Sequence, residues 1–185
     1  MRPWSFVLPL AGLPLLMGLA ADDFKLEPGF KLLFNGKNLD GWKEAGGKKE
    51  ALEGRTEAHG GRLKVVEGRL VYDPEVKGDL SIETTQEFGK DVHIKFDFKP
   101  GPKCNNDVFL RGTKFDIVPG NKENKAVKEG EWYPFELIVV GDKVEHRVGG
   151  EVARTSTLKA GAPASPLKLR AEFGVLEIKN LRVKE

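Results

Sequence analysis

The chain has 185 residues, 39% of them hydrophobic and 31% charged, with 30 Lys and Arg against 28 Asp and Glu. A net charge of +2, carried by acidic and basic residues that alternate along the chain, gives no electrostatic basis for nucleic acid or a charged membrane surface as a partner. Cys104 stands alone, which excludes an intrachain disulfide, and no two of the three histidines have metal-ligand spacing.

The first segment reads as an export signal. Arg2 is the only charged residue before Asp22, and the apolar run over 4–19 is broken by Pro9 and Pro14. A membrane-spanning helix needs about 20 apolar residues and rarely carries so many prolines. A positive start, an apolar centre and the small-residue end Gly18-Leu19-Ala20 predict a secretory signal over residues 1–20. The expected mature protein is a single domain over 21–185, exported to the periplasm, the cell surface or the medium, with no stable membrane insertion after cleavage. Its roughly 165 residues suffice to bury one core without disulfides.

Short alternating runs separated by Gly, Pro, Asn and Asp fill the remainder, and no long stretch has helical periodicity. That texture predicts an all-β, antiparallel β-sandwich or barrel. Residues 30–34 form the first expected strand, closed by the turn signal Asn35-Gly36. Segments 62–66 and 69–72 flank Glu67-Gly68 as a hairpin, and 79–84 alternates after them. The cleanest case is 92–99, with Val92, Ile94, Phe96 and Phe98 on one face and His93, Lys95, Asp97 and Lys99 on the other. Segments 107–111 and 114–118 follow, then a hairpin of 133–140 and 143–148 around Gly141-Asp142, then 167–173 and 176–183. The polar, Gly-rich stretch 43–61 reads as a loop with at most a turn of helix at 50–53, and 99–106 as a Pro/Gly loop.

The segment GFKLLFNGKNLDGW (29–42) resembles the opening signature of the 3-keto-disaccharide hydrolase domain family. VVEGRLVY (65–72), GDLSIETTQEFGKDVHIKFDFK (78–99), NNDVFLRG (105–112), GEWYPFELIVVGDKVEHRVGGEV (130–152) and LEIKNLRVKE (176–185) resemble its later blocks in the same order. The resemblance implies a concanavalin-like jelly roll of two antiparallel sheets, a bacterial periplasmic or cell-surface setting, and a carbohydrate or 3-keto-glycoside held on a concave face. The chain departs from the family pattern at Trp132-Tyr133, where Trp-Asn is usual, at Gly149-Gly150, where Asn-Gly is usual, and at Val118, in the place of a Gln. Arg170-Ala171-Glu172-Phe173-Gly174 stands where the family carries a Gln-Asp-His-Gly-like motif. Phe173 or Glu172, depending on the alignment, takes the place of the His. Three functions therefore stay open: a glycan-processing hydrolase, a non-catalytic carbohydrate-binding module, and a structural cell-surface protein with no small ligand.

Cleavage beside a 3-keto group needs a base for the acidified C–H, a donor at the developing enolate oxygen and an acid for the leaving group. By alternation, Arg111 and Asp116 point away from apolar neighbours, and both match family positions. They are the expected polar centre of the groove. Glu83 and Glu172 are candidate bases. Trp132, His93 and Asp97 are candidate substrate contacts, Trp132 because an aromatic ring stacks on a sugar face. No cofactor is required by these residues. Asn105-Asn106-Asp107 supplies oxygen atoms for a divalent ion such as calcium, but turn formation explains the triplet more simply.

Overall fold

The computed structural model describes residues 24–46 and 50–185; the predicted signal segment lies outside the described residues. The chain forms fourteen strands: β1 (Lys31–Leu32), β2 (Trp42–Glu44), β3 (Glu57–Ala58), β4 (Leu63–Val66), β5 (Arg69–Tyr72), β6 (Leu80–Phe88), β7 (Val92–Pro100), β8 (Asn105–Leu110), β9 (Thr113–Ile117), β10 (Tyr133–Val140), β11 (Lys143–Val148), β12 (Glu151–Thr157), β13 (Ser165–Phe173) and β14 (Leu176–Lys184). They make two antiparallel sheets packed as a jelly-roll β-sandwich. The nine-stranded sheet runs β12-β11-β10-β7-β14-β5-β4-β3, with β1 also on β14, and the five-stranded sheet runs β2-β6-β13-β8-β9. No described helix is long and apolar enough to cross a membrane.

The period-two pattern builds the core directly. Val92, Ile94, Phe96 and Phe98 of β7 are all buried, as the alternation predicts. Their neighbours β10 and β14 add Phe135, Leu137, Val139, Ile178 and Val183. The Phe96 and Phe135 rings stack at 4.3 Å between centroids, a cross-strand aromatic pair of the kind that pins register. From the other sheet come Ile82, Val108, Phe115, Leu167 and Leu169. Burying each such side chain contributes about 1.5–3 kcal/mol. Trp42 is also core, its indole Nε1 donating to Leu33 O at 2.7 Å.

Three elements differ from the sequence expectation. The stretch 43–61 contains β2 and β3 and no helical turn at 50–53: Leu52 is buried and its N–H donates to Trp42 O. A short 3-10 turn lies instead at His59–Gly61, where His59 Nε2 meets Ser81 O at 2.8 Å. Strand β12 was not expected either. Its sequence, EVARTST, has no apolar alternation because it is an edge strand with little to bury.

Candidate functional site

On the five-stranded sheet, register assembles the outward side chains into two rows. Lys43, Glu83, Lys168, Phe109 and Lys114 lie side by side across β2, β6, β13, β8 and β9. Two residues along, Ser81, Arg170, Asp107 and Asp116 form the second row. Asp107 faces outward and yet its side chain is fully buried beneath its neighbours, which makes it the floor of a polar cluster rather than part of an open face.

Arg170 covers that floor. Its Nη1 donates to Asp107 Oδ2 at 2.8 Å, its Nε and Nη2 make a bidentate pair with Asp79 at 2.7 and 2.6 Å, and Glu172 Oε2 lies 3.1 Å from Nη1. Three carboxylates thus converge on one guanidinium, and the Asp79 pair raises the Arg170 pKa further above its usual value. From the other side, Lys114 Nζ is 2.7 Å from Asp116 and 3.6 Å from Asp107. Burial, reinforced by the neighbouring Asp116 carboxyl, pushes Asp107 up to about 6. Asp116 goes the other way: burial works to raise it, but its bonds to Lys114 and Asp107 hold it below the usual value. The two aspartates divide into one that favours the proton and one that keeps its charge, the pattern of neighbouring carboxyls that cannot both ionise freely.

The cluster opens onto a pocket of about 910 Å³ whose wall includes Asp79, Glu172, Phe173 and Val175, with Arg62 and the 74–78 loop opposite. Sequence placed Pro102 and Lys103 in a long loop, and that loop supplies another wall. Gly174 makes the convergence possible. It has φ +69°, and a Cβ there would overlap the Lys103 carbonyl, so only glycine lets the β13–β14 turn close on this loop.

The structure brings together only some of the residues expected from sequence. Asp116 and Glu172 belong to the cluster. Glu83 is on the same face, ion-paired with Lys43 at 3.4 Å one row away. Arg111 does not join Asp116. It sits in the β8–β9 turn at φ +48°, its N–H on Ser165 Oγ and its Nη2 on Ala162 O, because the strand ends at Leu110 and the alternation that aimed it at the groove stops there. His93, Asp97 and Trp132 lie on the outer face of the other sheet. His93 pairs with Glu136 at 2.7 Å, Asp97 accepts from Asn180, and Trp132 lies under Lys99 and Lys179. Alternation tells inward from outward but not which of two sheets a strand joins, and β7 joined the nine-stranded one.

Arg170 and Asp79 are not among the site residues expected from sequence, and Asp107 is there only as a candidate calcium oxygen. The usable signal was the same alternation, Lys168, Arg170 and Glu172 against Leu167, Leu169 and Ala171. In the Asn105-Asn106-Asp107 triplet, two side chains are engaged by protein partners. Asn106 donates to Phe173 O and accepts from Glu172 N–H, while Asp107 faces Arg170 and Lys114. The described residues hold no cluster of three or more His, Cys, Asp or Glu side chains fit for a metal ion. Cys104 is buried against Ile117 O and Asn106, and burial pushes its thiol up to about 11, an inert state. His146, between the Phe115 and Phe135 rings, is driven down to about 4 by burial and by Arg154, which keeps it neutral.

The solved structures similar to this chain share its fold. Two candidate glycosyl hydrolases of Parabacteroides distasonis superpose with a TM-score of 0.61 each. The first is 18% identical and the alignment covers 84% of this chain and 93% of that one. The second is 15% identical, with 84% and 98% covered. A carbohydrate-binding module of Bacillus subtilis, CBM66, superposes with a TM-score of 0.50 at 11% identity over 78% of this chain and 96% of its own. No curated protein matches the chain. A model of the 3-keto-alpha-glucoside-1,2-lyase-like domain matches residues 29–121, from the strand before the Asn35-Gly36 turn through β9 and its Asp116. With over half of its length matched in this way, the chain belongs to the 3-keto-alpha-glucoside-1,2-lyase-like domain family.

Proposed function

We propose that this is an exported glycan-processing protein that cleaves a 3-keto-glycoside in the groove of the five-stranded sheet. The observation that carries the reading is Arg170, fixed by Asp79 and buried Asp107, with Glu172 beside it at the wall of an open pocket. Glu172 is the base. It takes the proton from the carbon between the keto group and the anomeric centre, and the electron pair moves onto the carbonyl oxygen as an enolate. Arg170 receives that charge. Its three carboxylate partners hold it in place before the reaction begins, the preorganisation that makes such a donor effective. The enolate expels the glycosidic oxygen, which takes a proton from Lys114, and the aglycone leaves as an alcohol. Water then adds to the enone: its oxygen bonds to the anomeric carbon, its proton returns to Lys114, and Glu172 gives its proton back to the neighbouring carbon, for net hydrolysis.

One observation favours a binding module instead. Glu172, at the place of the family His in one alignment, is held in the ion pair with Arg170 and so is already engaged when a sugar arrives. A chromogenic 3-keto-glucoside separates the two readings. Aglycone release that disappears in Glu172→Gln supports the lyase. Saturable binding without release, in wild type as in the variant, supports the module. Loss of neither release nor binding in Arg170→Ala would remove the groove from both. Export is tested by the mass of the secreted form, which is expected to begin at Ala21.

A further inference from the structure

The pocket beside Arg170 is lined by three carboxylates, Glu75, Asp79 and Glu172, and by three cations, Arg62, Lys77 and Lys103. Two of its wall carboxylates, Asp79 and Glu172, are already paired with Arg170, and Glu75 is exposed to solvent. Its cations are differently placed. Arg62 is only 2% exposed, its Nη1 donates to a neutral acceptor, Asp73 O, at 2.6 Å, and its Nε is buried with no partner. Among the described residues no carboxylate pairs with it. Lys77 donates to another neutral acceptor, Pro74 O, and Lys103 stands exposed at the rim. The Asp73 carboxylate acts on Arg62 electrostatically but makes its ion pair with Lys64, and a buried guanidinium with no direct ion pair is stabilised when an anion arrives. Burial lowers the Arg62 pKa, with the nearby Asp73 carboxylate working against the shift.

The same pocket carries an unused aromatic face. Phe173 is 58% exposed, and it has no ring or cation partner among the described residues. Its backbone is held in place. Its carbonyl accepts from Asn106 Nδ2 at 2.9 Å, and the next residue is the sterically locked Gly174. An exposed aromatic ring at the edge of a pocket is a platform for the apolar face of a sugar.

We propose that this pocket is a subsite for an anionic sugar ring, its carboxylate or sulfate received by Arg62 with Lys77 and Lys103 at the rim, and its apolar face stacked on Phe173. The inference rests on the reading of the Arg170–Glu172 cluster as a sugar site, and it adds that the glycan is acidic. The pocket volume of about 910 Å³ leaves room for a second ring beyond the one at Arg170.

The test is calorimetric titration of the intact protein with methyl glucuronide, methyl glucoside 6-sulfate and methyl glucoside. At least one anionic glycoside is expected to bind about tenfold or more tightly than the neutral one, with an advantage that shrinks as salt is raised. Whether the glucuronide or the sulfate gains separates the two sources of charge. Arg62→Gln is expected to abolish the preference for the charged sugars. Since Arg62 is buried, Phe173→Ala provides a variant that does not threaten the fold, and it is expected to weaken all three ligands about three- to tenfold. Equal affinity for charged and neutral sugars, with binding still lost in Arg170→Ala, would overturn the anionic subsite and leave the sugar site standing. Absence of binding by all three would overturn both.

Discussion

The two outer faces of the sandwich carry the same alternating charges and treat them in opposite ways. On the nine-stranded sheet the segment before β1 lies across the strands. Glu27 accepts from Arg182 Nε and Nη2 and from Lys95, and the Phe24 and Phe30 rings cover the Arg182 guanidinium. Those bonds pull Glu27 down to about 2. On the five-stranded sheet Asp107 also has cationic partners, yet it rises to about 6, because burial beneath Arg170 outweighs them. One face has its charges satisfied and covered by its own chain. The other holds a carboxyl that favours its proton, under an arginine, next to an open pocket. Pairing alone does not mark a site; the balance between pairing and desolvation does.

The sharpest way to break this contrast is to remove the arginine from each face. Arg170→Ala leaves Asp107 buried with only the more distant Lys114, and is expected to cost about 3–5 kcal/mol in a urea melt and to lower turnover at least a hundredfold. Arg182→Ala frees a Glu27 that reaches solvent, so its cost is expected to be about 1.5–3 kcal/mol, with turnover unchanged. Equal costs would show that the groove carboxylate is no more desolvated than the covered one.

The pH dependence separates the faces by sign. Asp107 binds its proton more tightly folded than unfolded, so its contribution is present below pH 3.8 and lost as pH rises through about 6. That loss amounts to up to about 3 kcal/mol. Glu27 contributes above pH 4.5, and that stability is lost as pH falls through about 2. His146, held neutral by the fold, contributes above pH 6.5 and loses its share as pH falls towards 4, opposing Asp107 in nearly the same window. Asp107→Asn is therefore expected to turn a flat wild-type profile between pH 4 and 6 into one that rises with pH. Superimposable profiles would show that Asp107 does not hold a proton there.

Smaller effects test the groove's walls and its neighbours. Gly174→Ala places a side chain at φ +69° against Lys103 and is expected to cost about 1–3 kcal/mol and to weaken sugar binding with it. Arg111→Ala removes a single bond to Ala162 O and is expected to cost about 1 kcal/mol while leaving turnover intact. A large loss of turnover with normal stability would return Arg111 to the site. Trp132→Ala and His93→Ala, on the covered face, are expected to change sugar affinity less than about twofold, since surface positions away from a site stay within about 0.5 kcal/mol.

Sequence determined the sandwich, the buried face of each long strand and the family. Period-two alternation is a local property, and Val92–Phe98 could be oriented from it without knowing any partner. The same local signal failed where burial on one side stopped deciding composition, at the edge strand β12 and in the short strands β2 and β3. The site is different in kind. Asp116 and Glu172 were legible as outward polar residues, but so were His93 and Asp97, and only the pairing of β7 with β10 and β14 sent those two to the opposite face. The meeting of Arg170 with Asp79 and Asp107 depends on β13 lying between β6 and β8, strands 91 and 63 residues distant at the bonded positions. Such contacts join residues whose sequence neighbourhoods carry no trace of one another. Strand order settles which outward side chains share a groove, and strand order is a property of the folded sheet.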